Sequence, residues 1–92
     1  MIKGFKCKHT ETLFSRTFVK RFSAIERVAR MKLAIIDSAD TLNDLRVPPA
    51  NRLEALKGDR KGQYSIRIND QFRICFRWKA DGVYDVEIVD YH

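Results

Sequence analysis

Residues Tyr64-Ser65-Ile66-Arg67-Ile68, Phe72-Arg73-Ile74-Cys75-Phe76-Arg77-Trp78 and Tyr84-Asp85-Val86-Glu87-Ile88 alternate bulky apolar side chains with mostly polar ones. A period of two sends successive side chains to opposite faces of a strand. The intervening Asn69-Asp70-Gln71 and Ala80-Asp81-Gly82 are turn sequences, so three antiparallel strands are expected. The core-type residues of all three runs carry even numbers. The even face should pack on the rest of the chain, leaving Arg67, Arg73 and Arg77 beside Asp85 and Glu87 on the odd face. Such neighbours are either ordinary cross-strand pairs, worth about 0.2–1 kcal/mol each, or a rigid platform on which guanidinium groups grip phosphate.

Upstream of this sheet the pattern changes. Met1–Lys8 alternates Ile2, Phe5 and Cys7 with Lys3, Lys6 and Lys8, which reads as a weak edge strand guarded by lysines. Thr10 is placed to cap a short helix running to about Arg16, anchored by Leu13 and Phe14. Ser23-Ala24-Ile25-Glu26 has capping-box spacing, a hydroxyl with a carboxylate three residues on. Ile25, Val28, Ala29, Leu33 and Ile36 then recur at three-to-four spacing, predicting a helix to about Asp37–Ala39. Arg27, Arg30 and Lys32 lie on its polar side. Residues 40–52 read as a connection, interrupted by Pro48-Pro49 and pinned to the core by Leu42, Leu45 and Val47. Lys57–Gly62 is a polar turn bounded by glycines. The expected architecture is α+β: one domain over residues 1–92, with an N-terminal strand and two helices on one face of a small antiparallel sheet.

At 92 residues, 45% apolar and 33% charged, the chain can build a modest core, and disordered or collagenous readings are excluded. The longest apolar run, Leu33-Ala34-Ile35-Ile36, is far short of the ~18 residues that span a bilayer, and no signal-peptide pattern opens the chain. A cytoplasmic protein is expected, with Cys7 and Cys75 reduced. No second ligand pair accompanies Cys7 and His9, so no metal and no cofactor is expected. Charge is more informative. Eighteen Lys and Arg stand against twelve Asp and Glu, a net +6. Residues 1–34 carry +7 and residues 57–79 carry +5, whereas 35–56 carry −2 and 80–92 carry −4. Two basic blocks that meet on one face would suit a polyphosphate partner, because neutralising phosphates releases condensed counterions.

Arg52-Leu53-Glu54-Ala55-Leu56-Lys57-Gly58-Asp59-Arg60-Lys61-Gly62-Gln63-Tyr64-Ser65-Ile66-Arg67, then Phe72-Arg73-Ile74-Cys75-Phe76, then Val89-Asp90-Tyr91-His92, together resemble the HigB branch of the RelE/ParE toxin superfamily. The resemblance covers essentially the whole chain in length and element order. It implies a RelE-like fold and the toxin half of a bacterial type II toxin–antitoxin module. It further implies a ribosome-dependent endoribonuclease that cuts messenger RNA in the A site, silenced by a helix-turn-helix, HigA-like antitoxin. Carried over by position, Lys57, Arg73, Asp90, Tyr91 and His92 fall at functional places. Some relatives carry a histidine where this chain has Glu54, a departure that bears on any histidine-pair mechanism.

Metal-free RNA cleavage proceeds by attack of the ribose 2′-hydroxyl on the adjacent phosphorus. It needs a base, stabilisation of the phosphorane, and an acid for the leaving 5′-oxygen. Arg73, always charged, suits phosphate binding and charge stabilisation. His92 has its own carboxylate and Asp90 nearby in sequence, which favours the protonated ring and a proton-donor role. His9 reads as a surface or packing residue. Asp90, Lys57 and Tyr91 are each poor unaided bases at neutral pH, so substrate orientation by the ribosome must carry part of the barrier. Arg52, Arg60, Lys61 and Arg67 are the expected contacts to the RNA backbone, with Arg27, Arg30 and Lys32 facing ribosomal RNA. The alternatives are a non-enzymatic, ParE-like inhibitor of DNA gyrase and a plain nucleic-acid-binding module.

Overall fold

A computed structural model describes residues 1–91. Two α-helices, α1 (Lys8–Phe14) and α2 (Glu26–Ser38), cover one face of a four-stranded antiparallel sheet. Its strands are β1 (Glu54–Ala55), β2 (Tyr64–Arg67), β3 (Phe72–Lys79) and β4 (Gly82–Asp90), in spatial order β1-β2-β3-β4. The three alternating runs form β2 to β4 as expected, and β1 adds a short edge strand that a two-residue pattern could not reveal. Ile66, Ile74, Phe76 and Val86 on the even face are fully buried, facing Leu13, Ala29, Leu33 and Ile36 from the helices. Phe22 meets Phe72 edge-on, with ring centroids 6.3 Å apart.

The period of two fails at one point. Cys75 pairs with Glu87 but Arg77 pairs with Tyr84, so Asp85 and Val86 together oppose Phe76. This is a β-bulge, and Asp85 takes the left-handed conformation at φ 55° that bulges require and aspartate tolerates. Beyond the bulge the faces exchange. Val83 is buried in the core, whereas Tyr84, expected inside, lies outside under the Lys79 ammonium and donates to Asp81 at 2.7 Å.

The N-terminal segment is not a full strand. Ile2 and Phe5 form isolated parallel bridges with Val83 and Val86, closing that edge of β4. Where the bridges end, the Thr10 hydroxyl takes over and accepts the Ile88 amide at 3.0 Å. Thr10 is therefore a fully buried tie between α1 and β4 rather than a cap, and the helix begins earlier, after Cys7.

Ser23 does not cap either. The chain enters α2 through a 3-10 turn over Lys20–Ile25, and the N-cap, Ile25, makes no side-chain cap bond. The capping box that does form is Thr41 with Asp44, at the start of the 3-10 segment Leu42–Arg46. In the connection Leu45 is fully buried and Leu42 packs against the core, but Val47, expected to help pin it, is 70% exposed. Its place is taken by a buried polar contact. Lys32 Nζ donates to Asn51 Oδ1, and Asn51 Nδ2 donates to the carbonyls of Leu45 (3.1 Å) and Val47 (3.2 Å). Lys32 is thus a core anchor and not part of a solvated basic face. Burial, with Arg67 adding repulsion, pulls its pKa below the usual lysine value. Arg30 is likewise engaged, by Glu26 and by the carbonyls of Leu13 and Thr17, whereas Arg27 is exposed.

Candidate active site

The sheet face away from the helices carries a single rung on which the candidate chemistry converges. Pairing aligns Glu54, Ser65, Cys75 and Glu87 across β1, β2, β3 and β4. Residues directly opposite in neighbouring strands share a face. All four contact candidate side chains from other positions: Glu54 and Ser65 meet Arg73, Cys75 meets Tyr91, and Glu87 meets Arg60.

Arg73, one rung further along on the same face, is buried and held at several points. Its Nε donates to Ser65 Oγ (2.8 Å) and its Nη2 to the Arg52 carbonyl (2.7 Å), with Glu54 Oε1 3.5 Å from Nη2. Arg52 adopts a left-handed conformation (φ 46°), and it is this kink after Pro49–Asn51 that turns its carbonyl toward Arg73. A guanidinium fixed in this way presents its charge with little left to reorganise.

Tyr91 follows β4, with its amide bonded to the Gln71 carbonyl, and its hydroxyl lies close enough to the Cys75 thiol to influence its ionisation. Burial pushes the Cys75 thiol pKa up and Glu87 adds to the rise; the Arg60 and Arg73 cations and the Tyr91 hydroxyl pull the other way without cancelling it. Cys75 is therefore a protonated seat for Tyr91 and not a nucleophile.

Arg60 reaches the same rung from the turn before β2. Its Nη1 lies 3.2 Å from both Gln63 Oε1 and Glu87 Oε2. Partial burial works against the charge, but the Glu87 hydrogen bond, with Cys75 and Tyr91 nearby, outweighs it and raises the guanidinium pKa.

Of the nine residues named from sequence, Arg73, Tyr91 and Arg60 are brought together over Ser65, Cys75 and Glu87. Lys57 and Lys61 are exposed on the turn that Arg60 anchors, and Lys57 occupies the position just before its 3-10 segment, Gly58–Arg60, without a side-chain cap bond. Arg52 takes part through its carbonyl, with the side chain exposed. Arg67 is tied to Asp70. Asp90 pairs with Phe72, whose ring meets Phe22 of the helical layer; its position therefore falls on the helix side of the sheet, and its carboxylate accepts from Gln71 Nε2 at 3.0 Å. His92 lies outside the described residues. Ser65 and Cys75, which sequence reading did not single out as functional, become visible only through strand register. Among the described residues no group of three or more His, Cys, Asp or Glu converges as a metal site, and no helix is long and apolar enough to cross a membrane.

The arrangement of helices over one face of an antiparallel sheet is also found in a solved bacterial toxin–antitoxin complex. The YoeB–YefM complex of Staphylococcus aureus contains a chain that superposes with a TM-score of 0.62 over 100% of this chain and 98% of its own length, at 19% identity. The sequence model of the HigB-like toxins, described as the RelE-like toxin of type II toxin–antitoxin system HigB, matches residues 3–92, and the chain belongs to that family. Toxin HigB-1 of Vibrio cholerae is 51% identical over 61 residues, which cover 66% of this chain and 63% of that protein's length. Endoribonuclease HigB of Proteus vulgaris is 33% identical over 94 aligned positions spanning both proteins completely.

Proposed function

We propose that this toxin is an endoribonuclease that cleaves messenger RNA in the ribosomal A site by metal-independent attack of the ribose 2′-hydroxyl. The observation that carries the reading is the fixed guanidinium of Arg73 on the open sheet face, with the Tyr91 hydroxyl on the adjoining rung. Arg73 neutralises the scissile phosphate and the charge that grows on the phosphorane. Tyr91 and His92 are the candidates for proton transfer, and exposed Lys57 and Lys61 meet the flanking phosphates. Asp90, bonded to Gln71, serves by holding the tail rather than as the base. Glu54 spends its carboxylate on Arg73, so it steers the cation instead of replacing a histidine.

With no strong base among the described residues of the face, most of the rate comes from orientation of the substrate by the ribosome. The partner that silences the toxin is a helix-turn-helix antitoxin. The test is cleavage of a defined message on purified ribosomes. Wild-type toxin should cut within the translated frame and leave the same RNA intact when ribosomes are omitted. Intact message in both reactions, with inhibition of gyrase supercoiling instead, would overturn the reading.

A further inference from the structure

The chain from Lys57 to Gly62 does not hang freely beside the sheet. Arg60 leaves this turn, which precedes β2, and crosses above β3 to reach Glu87 on β4, 27 residues away in sequence. The crossing lies over Cys75, because Ser65, Cys75 and Glu87 occupy one rung. Gln63, itself buried, accepts from the same guanidinium nitrogen, so that Nη1 joins the near and far sides of the crossing. Glu87 is mostly shielded, at 16% side-chain exposure, and also faces Lys6 of the N-terminal segment at 3.6 Å. At the other end of the turn, Gly62 (φ 93°) lies so near Arg77 that a Cβ there would stand 3.0 Å from Nη1. The turn thus rests on the open face at both ends.

We infer that Glu87, acting through Arg60, is a positioning residue: the ion pair straps the 57–62 turn across the sheet and sets where Lys57 and Lys61 stand relative to Arg73 and Tyr91. Arg60, expected from sequence to contact the RNA backbone, is on this reading a strap whose charge is already answered. The catalytic consequence rests on the endoribonuclease reading; the strap itself does not. An ion pair between this turn and β4 is disrupted by neutralising either member and is re-formed by exchanging them.

The experiment compares wild type, Glu87→Gln, Arg60→Gln and the exchanged pair Arg60→Glu/Glu87→Arg, with Lys6→Gln added to the exchanged pair and measured alone, because Lys6 also faces Glu87. Amide exchange is read at Arg60, Lys61 and Gln63, whose N–H groups bond the carbonyls of Lys57, Gly58 and Arg60. Single-round cleavage of ribosome-bound message is measured alongside. Glu87→Gln and Arg60→Gln should each speed exchange at these amides at least tenfold, leave the β3 amides protected, and lower kcat about tenfold with KM within twofold. The exchanged pair should recover slow exchange and most of kcat. Unchanged turn exchange in Glu87→Gln, an exchanged pair no better than Glu87→Gln or Arg60→Gln, or faster exchange with undiminished kcat would each overturn the inference. A wild-type protein inert toward RNA on ribosomes would sink the nuclease reading and the effect on kcat with it, while the exchange measurements decide the strap independently.

Discussion

The Nε of Arg73 donates to the hydroxyl of Ser65 across the β2–β3 ladder at 2.8 Å; Ser65 is fully buried, and the Arg73 side chain keeps 10% of its surface exposed. A serine on one strand therefore sets the orientation of the charge on the next. Arg73→Ala should abolish toxicity and reduce cleavage by two orders of magnitude or more, as expected when one preorganised donor to a developing oxyanion is lost. Arg73→Lys should recover little, because an ammonium cannot satisfy Ser65, Arg52 and Glu54 from a single fork. Ser65→Ala should cost about 1.5–3 kcal/mol of stability, because it leaves a buried charged N–H without its acceptor, and should leave partial activity. Growth arrest on induction and thermal unfolding of the purified variants check these outcomes.

Tyr91 carries its hydroxyl on the site side, whereas Asp90 falls on the helix side. Removing only the hydroxyl, in Tyr91→Phe, should lower single-turnover cleavage by about 10²-fold if that group moves a proton. Asp90→Asn keeps an acceptor for Gln71 and should lose several-fold less. The reverse ranking would place the chemistry on the other carboxylate side of the tail and reject the assignment of Tyr91.

The two cysteines should differ sharply in reactivity. Cys75 is fully buried with its pKa raised, whereas Cys7 is partly exposed. Iodoacetamide at neutral pH should label Cys7 and spare Cys75 until the protein unfolds, as peptide mass mapping would show. The raised folded value also means that the stabilising contribution of Cys75 is present below the ordinary thiol pKa and is lost as pH rises through the folded one.

Lys32 gives the opposite sign. Its folded pKa is lowered, by burial first and by Arg67 second, so the unfolded chain binds the proton more tightly. Stability contributed by this residue should rise as pH climbs from the lowered value toward the ordinary ~10.4. Urea unfolding of wild type and Lys32→Met across this range isolates the effect: the difference between them should shift in favour of wild type with increasing pH. A constant difference would mean that the amine is protonated equally in both states.

Thr10→Val keeps the shape of the side chain but removes the acceptor of the buried Ile88 amide. Leaving that N–H unmet should cost about 1–3 kcal/mol, visible as a lower denaturation midpoint. Activity per folded molecule should be preserved, because the contact joins α1 to β4 on the side away from the arginines.

Alternation along Tyr64–Ile88 determined the three long strands and which face would be buried, because burial of one face forces a period of two. Helical spacing from Ile25 to Ile36 did the same for α2. The family was legible in the Leu-Lys-Gly-Asp-Arg turn and the Asp-Tyr-His end, and with it the nomination of Arg73 and Tyr91, which the fold brings to neighbouring rungs of one sheet face. The bulge at Asp85 was not legible: Val83 and Tyr84 are both apolar, and only the fit of β4 against β3 and the core selects which turns inward. Nor was the role of Thr10, Lys32 or Arg60, since each is defined by a partner 19 to 78 residues away. Local pattern encodes the direction a side chain takes from its own backbone. Which groups it meets there depends on strand register and on where loops fold back, and those are settled by packing of the whole chain. That is why the arginines could be named from sequence, while the rung of Glu54, Ser65, Cys75 and Glu87 that holds them belongs to the tertiary structure alone.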